Sequence, residues 1–291
     1  MWKRVRHIMS WSLVKKSAKW AAACVAAVST VMGVVGVSLV DFLPESFGWV
    51  ARLAIFALAF VLFGMVAAAI TCYVSGHSAH FEINNTNVEV KIADLFSSDG
   101  IKVIPFDEYF DAEVDDKVIS KNSLNGTFLE QNSERKDSIL QAIVEPQQCV
   151  LGEPEEDNGR LRYRLGTIKV FDEYALLAFT HMDECDRAYL ERGQYEDCLL
   201  NMWYELDRIY AGKRVVLPLL GSGITRFNGC ARPSEDDLLR CMLCTLRMSG
   251  LRFKDGVLIA LTRETADRMR LYEVKDYTDA WRLGMGESNG L

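Results

Sequence analysis

An N-terminal two-helix transmembrane hairpin followed by an α/β sandwich with a mostly parallel sheet is the fold class this sequence predicts. Three observations carry it. Two uncharged apolar stretches, Ala21 to Val40 and Leu53 to Ser75, lie close together near the start of the chain. Beyond them, short β-branched runs alternate with segments of helical periodicity. One of those runs passes through Pro218 into a loop punctuated by Gly221 and Gly223.

The hairpin comes first. About 20 residues of helix cross a bilayer core of roughly 30 Å, and each stretch reaches that length. Lys3, Arg4, Arg6, Lys15, Lys16 and Lys19 precede the first stretch with no acidic residue among them, whereas the connecting loop has Arg52 as its cation beside Asp41 and Glu45. The positive-inside rule therefore places both termini in the cytoplasm and the loop outside. Trp20, Phe42, Phe47, Trp49 and Tyr73 fall near the span ends, where amphipathic rings are favoured. A secretory signal peptide is the competing reading of the first stretch. The long basic region and the second span that follows at once favour two spans, within a unit of residues 1–80.

Small residues recur at three- or four-residue spacing: Ala22, Ala26, Ser29, Gly33 and Gly36 in the first span, Gly64 and Ala68 in the second. Such positions let helix backbones approach closely in lipid. They serve either the two helices of one hairpin or the packing of hairpins from several chains into a homo-oligomer. No charged side chain lies inside either span, so a pore would require assembly or disturbance of the bilayer.

Residues 81–291 form the second unit, long enough for one sizeable core. The chain has 40 acidic and 33 basic residues, a net charge of −7. An acidic soluble part argues against a nucleic-acid groove and against docking of this unit on anionic lipid. Six cysteines fall there: Cys149, Cys185, Cys198, Cys230, Cys241 and Cys244. In a reducing cytoplasm they are free thiols. The spacing of Cys241 and Cys244 admits a metal site, but both lie within an apolar-periodic helix and no second pair stands at zinc-finger distance. His181 and Cys185 suggest either a thiol nucleophile with its base or ordinary packing.

Along this unit, Val88 to Ile92 alternates apolar and charged residues like a half-buried strand, and Ile101 to Phe106 reads as a buried strand. Ser133 to Val144 reads as a helix and Gly152 to Gly159 as an exposed loop. Two strand-like runs follow, Arg162 to Phe171 and Ala175 to Thr180, with a turn at Asp172-Glu173. Gln194 to Tyr210 places Cys198, Met202, Leu206 and Ile209 on one helical face. Arg214 to Leu220 is an apolar run ended by Gly221; Asp236 to Met248 repeats Leu239, Met242, Leu243 and Leu246 like a second helix. Val257 to Thr262 is a last strand and Glu264 to Tyr272 opens a final helix. This alternation is what makes the sheet mostly parallel.

Chemistry concentrates at Val215 to Phe227. A buried strand runs there into Gly221-Ser222-Gly223. Ligands in α/β folds bind at the carboxyl ends of strands, and glycines let backbone N–H groups approach phosphate oxygens. The loop lacks the Lys-Ser/Thr of a Walker loop and the third glycine of a dinucleotide fingerprint. By spacing alone it is a phosphate cradle or a tight strand-to-helix turn.

Pro218-Leu219-Leu220-Gly221-Ser222-Gly223-Ile224 resembles the second ligand loop of macro domains, which bind ADP-ribose and its relatives. Val90-Lys91-Ile92-Ala93-Asp94-Leu95 resembles their early strand ending in Asp, with Ala93 where glycine is usual. Ile101 to Phe106 resembles the next strand, and Ile119 to Gly126 stands where the first phosphate loop is expected. The likeness runs over nearly all of residues 86–285, and it implies a three-layer α/β/α sandwich with a mixed, mostly parallel sheet. A two-span hairpin joined to such a domain resembles the membrane effector of type II Thoeris antiphage systems.

That resemblance implies a multi-pass protein of a prokaryotic inner membrane. Its macro domain would bind an ADP-ribose-derived signal made from NAD by a TIR-domain partner, then assemble and compromise the membrane. It implies ligand roles residue by residue. Asp94 would hold the adenine amino group, or simply cap the strand end. Amides of Ser222, Gly223, Ile224 and Thr225, in the loop begun by Gly221, would cradle the diphosphate, with Asn122, Ser123 and Leu124 closing over it. Arg226 would add charge, or be a solvated cation; Phe227 would wall the distal ribose, or pack in the core. Hydrolytic macro domains carry an Asn-rich run where this chain has Pro105-Phe106-Asp107-Glu108. Binding without turnover, with no cofactor or metal, is therefore the expectation. A membrane-tethered ADP-ribosyl hydrolase using Asp107 or Glu108 as base is the alternative.

Overall fold

The computed structural model describes residues 60–66, 78–112, 123–146, 151–183, 187–229 and 231–271, with isolated positions elsewhere. The chain divides into two compact units, Met1–His77 and Ser78–Leu291. In the first unit, residues 60–66 are helical, and Phe60, Val61, Leu62, Phe63, Met65 and Val66 are exposed. Most of both expected spans lies outside the described residues. Among those described, no helix is long and apolar enough to cross a membrane.

The second unit opens with a hairpin that the strand pattern at Val88 only half reveals. β1 (Ser78–Ile83) pairs antiparallel with β2 (Thr86–Ile92), Ser78 opposite Lys91. Asn84 and Asn85 turn between them with φ of 50° and 58°. Left-handed pairs of this kind match the strand twist, and Asn tolerates them better than most residues. Val88 and Val90 are buried on the core side, as the alternation at Val88 to Ile92 requires.

β3 (Ile101–Asp107) follows, then α1 (Leu124–Gln131), a 3-10 turn at Ser133–Arg135, and α2 (Lys136–Val144). The helix expected over Ser133 to Val144 thus starts with a tighter turn. Part of the expected phosphate loop, Leu124 to Gly126, is the first turn of α1 instead; Ser123 caps it, its Oγ accepting from the Gly126 N–H at 2.9 Å. The expected loop at Gly152 to Gly159 also contains structure. β4 (Glu155–Asp157) and β5 (Arg160–Arg162) form a hairpin through Asn158-Gly159, at φ of 51° and 79°. The strand expected from Arg162 is correspondingly shorter: β6 spans Ile168–Phe171.

β7 (Tyr174–Met182) is flanked on one side by β3 and on the other first by β6, then by β8 (Ala188–Glu191). α3 (Arg192–Ile209) begins with a capping box between Glu191 and Gln194. β9 (Val215–Pro218) and β10 (Arg226–Asn228) bracket the glycine loop. α4 (Glu235–Ser249) has Ser234 as its cap, three acidic residues in its first turn, and Gly250 closing it at φ 69°. β11 (Val257–Leu261) and α5 (Arg263–Arg268) complete the unit.

The strands join in the order β1-β2-β11-β9-β3-β7-β8-β10, with β6 also on β7. From β2 to β7 all neighbours are parallel; β1 is antiparallel to β2, β6 and β8 are antiparallel to β7, and β10 runs parallel to β8. This is the mixed, mostly parallel sheet of the expected sandwich. Its two faces have separate cores. Leu199, Met202 and Leu206 of α3 and Leu239, Met242 and Leu246 of α4 pack with Val257, Ile259, Val215 and Leu217. On the other face Phe128 of α1 and Ile139 of α2 pack with Ile104, Phe106, Val216 and Leu258. Adjacent residues of one strand serve opposite cores, so the central strands are continuously apolar rather than alternating. The Trp203 Nε1–H donates to Thr245 Oγ1 at 3.1 Å and ties α3 to α4.

Candidate functional site

Five neighbouring parallel strands, β2, β11, β9, β3 and β7, end on the same side of the sheet. A cleft of about 690 Å³ opens across those carboxyl ends, lined by Asp94, Asp107, Thr180, Pro218 and Thr262 among others. Backbone polar groups released where strands stop, and not yet taken up by a helix, make this end the binding end of an α/β sheet.

The loop after β9 forms one wall. Gly221 turns it at φ 83°; a side chain there would meet Leu238 Cδ2 and Phe227 Cζ at 3.2 Å. The Tyr195 hydroxyl donates to the Leu220 carbonyl at 3.0 Å and fixes the loop's base. Ser222 folds back on the strand end: its N–H and its Oγ both donate to the Leu219 carbonyl, at 3.2 and 2.6 Å. Its amide is therefore spent, and the expected cradle is narrower than four residues. Gly223, Ile224 and Thr225 all line the cleft, and their N–H groups have no acceptor among the described residues. The Arg232 guanidinium braces the loop, its Nη2 donating to the carbonyls of Ser222 and Gly223, each at 2.8 Å.

The start of α1 forms the facing wall, with Ser123, Leu124 and Asn125 on the cleft. The first N–H groups of a helix lack intrahelical partners and carry the positive end of its dipole. Asn125 is 8% exposed, and its Oδ1 is buried with no hydrogen-bond partner among the described residues. An orphaned buried acceptor costs about 1–3 kcal/mol, which a donor brought into the cleft would offset.

Asp94 lines the cleft from the end of β2. Its carboxylate accepts from the Phe96 N–H at 3.0 Å and from Ser97 Oγ at 2.6 Å, so it caps the strand-end turn. Asp107 is 6% exposed; its Oδ1 accepts from the N–H groups of Tyr109 (2.8 Å) and Asp111 (3.3 Å). Burial, and secondarily the Asp111 carboxylate, push its pKa up to about 6 against the pull of those amides. Glu108 points elsewhere. It pairs with His181 Nδ1 at 2.7 Å in a second pocket of about 480 Å³.

Arg226 and Phe227 are not among the cleft-lining residues. β10 carries both past the cleft to the sheet edge beside β8, with Arg226 exposed. Phe227 is 9% exposed, edge-to-face with Tyr195 at 5.6 Å, and supports the glycine loop from beneath. Asn122 lies outside the described residues. Asn125, Arg232 and the Thr262 to Arg268 segment, by contrast, line the cleft without having been singled out from the sequence. The segment was findable, since it follows a predicted parallel strand; Arg232 had no local signal.

Among the described residues, no group of three His, Cys, Asp or Glu is placed to hold a metal ion. Cys241 lies on α4, where burial pushes its thiol up to about 12. His181 has Glu108 as its partner, and Cys185 lies outside the described residues.

Residues 88–259 match the family model described as Thoeris protein ThsA, Macro domain. The chain is 32% identical over 219 residues to the Thoeris protein ThsA of Bacillus amyloliquefaciens (strain Y2), covering 72% of this chain and 70% of that one. Similar solved structures are macrodomains of Oceanobacillus iheyensis. A mutant with ADPR has a TM-score of 0.42 at 13% identity, covering 69% of this chain and 97% of that one. The form with MES bound has a TM-score of 0.37 at 12% identity, covering 72% and 98%. The family match spans more than half of the sequence, and by it and the 32% identity the chain belongs to the Thoeris ThsA macro-domain family.

Proposed function

We propose that this protein is a membrane effector of antiphage immunity whose cytoplasmic macro domain senses an ADP-ribose-derived nucleotide made by a TIR-domain partner. Binding drives chains together into a homo-oligomer, and the N-terminal hairpin then disrupts a prokaryotic inner membrane. One observation carries the ligand class: Gly223, Ile224 and Thr225, whose N–H groups have no acceptor among the described residues, line one cleft together with Ser123, Leu124 and Asn125 at the start of α1. Two sets of backbone donors suit the two phosphates of a diphosphate. In this reading Asp94 receives the adenine amino group while keeping its turn, and Asn122, Ser123 and Leu124 close over the diphosphate.

The membrane part rests on the sequence of the two spans and on the exposed apolar side chains of residues 60–66. Switching requires the ligand to prefer the assembled form; a preference of about ten thousand converts a 1:99 population to 99:1. Binding without turnover is the reading favoured by Glu108, which is paired with His181 in the second pocket and not on the cleft, and by Asp107, whose Oδ1 is held in its turn by two amides. The second reading, an ADP-ribosyl hydrolase, draws on Asp107: a carboxyl near 6 suits a general base.

Dye-loaded vesicles carrying the full chain test the proposal. Addition of the product mixture of a TIR enzyme acting on NAD is expected to release dye, and the Gly223→Val variant is expected to retain it. Equal release from both proteins would contradict it, and appearance of hydrolysed ligand would favour the second reading.

A further inference from the structure

We infer that Arg232 is the positioning residue of the diphosphate loop and sets the preference of the cleft for a dianionic ligand; this rests on the ADP-ribose reading above. In a trans peptide the C=O and the next N–H point in opposite directions. One guanidinium nitrogen holds the carbonyls of Ser222 and Gly223, both at 2.8 Å. The peptide planes so fixed are those that carry the Gly223 and Ile224 N–H groups. Arg232 therefore aims two of the three unpaired amides away from itself by gripping the other side of their planes.

Charge points the same way. The acidic residues on the cleft are Asp94, Asp107 and Glu264, and its cations among the described residues are Arg232 and Arg268. Arg268 is neutralised by Glu235 at 2.7 Å and Glu264 at 2.8 Å. Arg232 contacts carbonyls rather than a carboxylate, so its charge is the one left to offset the repulsion a diphosphate would meet. Among the described residues its Nε and Nη1 have no protein acceptor, so nothing but water competes with its grip on the loop. No element of the strand-and-loop motif contains it; it stands ten positions after Ser222.

The test compares ligands and substitutions in the full chain held in detergent. Affinities for ADP-ribose and for adenosine, which lacks phosphate, are measured for the natural protein, Arg232→Met and Arg232→Lys, with melting curves without ligand. Arg232→Met is expected to weaken ADP-ribose by about tenfold or more, the scale of a charge-assisted contact. Arg232→Lys should restore part of it, and adenosine should stay within about twofold in all three. Unchanged ADP-ribose affinity in Arg232→Met would overturn the inference, as would a parallel loss of adenosine, which marks general damage to the cleft. If Arg232→Met does not fold, Arg232→Lys decides alone: unchanged ADP-ribose affinity and unchanged salt dependence would overturn the inference. Absence of ADP-ribose binding by the natural protein is a separate result, and it would bring down the ligand reading together with this one.

Discussion

Asp107 and Glu108 are neighbours in sequence yet line different pockets, Asp107 the cleft and Glu108 the recess where it holds His181 Nδ1 at 2.7 Å. β3 ends between them, one residue after the β3–β7 register shifts between Phe106 and Asp107. Irregularities of this kind re-aim side chains at strand ends. Only one of two candidate bases is thereby presented to a ligand.

Asp107 makes stability depend on pH. Its carboxyl rises from 3.8 to about 6 on folding, so the native state holds its proton more tightly than the unfolded one. The resulting stabilisation is complete below the unfolded value, declines as pH rises from about 4 to about 6, and is gone above that. Asp107→Asn lacks this dependence. Between pH 4 and pH 7.5 the variant should gain about 2 kcal/mol relative to the natural protein, read by urea unfolding at the two pH values. A constant difference would show that Asp107 titrates normally.

Gly221 and Gly223 should respond in opposite ways. Gly221 needs φ 83° and has Leu238 and Phe227 beneath it, so Gly221→Ala should cost about 1–3 kcal/mol of stability. At Gly223 nothing lies within 4 Å of an added Cβ. Gly223→Val should keep the melting temperature and abolish nucleotide binding by filling the cradle. Melting curves beside binding isotherms check both, and retained affinity in Gly223→Val would remove the loop from the site.

Asn125→Ala should leave the unliganded protein as stable as before or slightly more so. It removes an acceptor that has no partner among the described residues and places a better helix former in α1. Ligand affinity should fall about tenfold if the orphaned Oδ1 receives a ligand donor, a comparison that titration calorimetry makes directly.

Phe227→Ala should behave as a core truncation. The ring is buried against Tyr195 and under Gly221, so about 3 kcal/mol of stability should be lost. Thermal unfolding measures this, and an unchanged melting temperature would return Phe227 to the surface.

What was legible in the sequence followed from long-range periodicity. The faces of α3 and α4 were plain, because Cys198, Met202 and Leu206, and Leu239, Met242 and Leu246, all repeat on one side and are buried. Short elements held by turns were not. β1 and the β4–β5 hairpin depend on Asn84-Asn85 and Asn158-Gly159, turn signals that carry no apolar pattern. α1 was missed because Asn125-Gly126 reads as a loop; burial of Phe128 and Leu129 overrides that local preference. In the site, the glycine loop and Asp94 were visible at strand ends. Arg232 was not, since only the fold returns it to Ser222, and Phe227 was displaced because β10 continues to the sheet edge.

Titration calorimetry of the full chain in detergent with ADP-ribose, followed by chromatography of the recovered ligand, tests the central claim most directly. The account predicts saturable binding, its loss in Gly223→Val, and ligand recovered intact. Absence of heat from ADP-ribose and from its conjugates, with the protein folded by its melting curve, would contradict it.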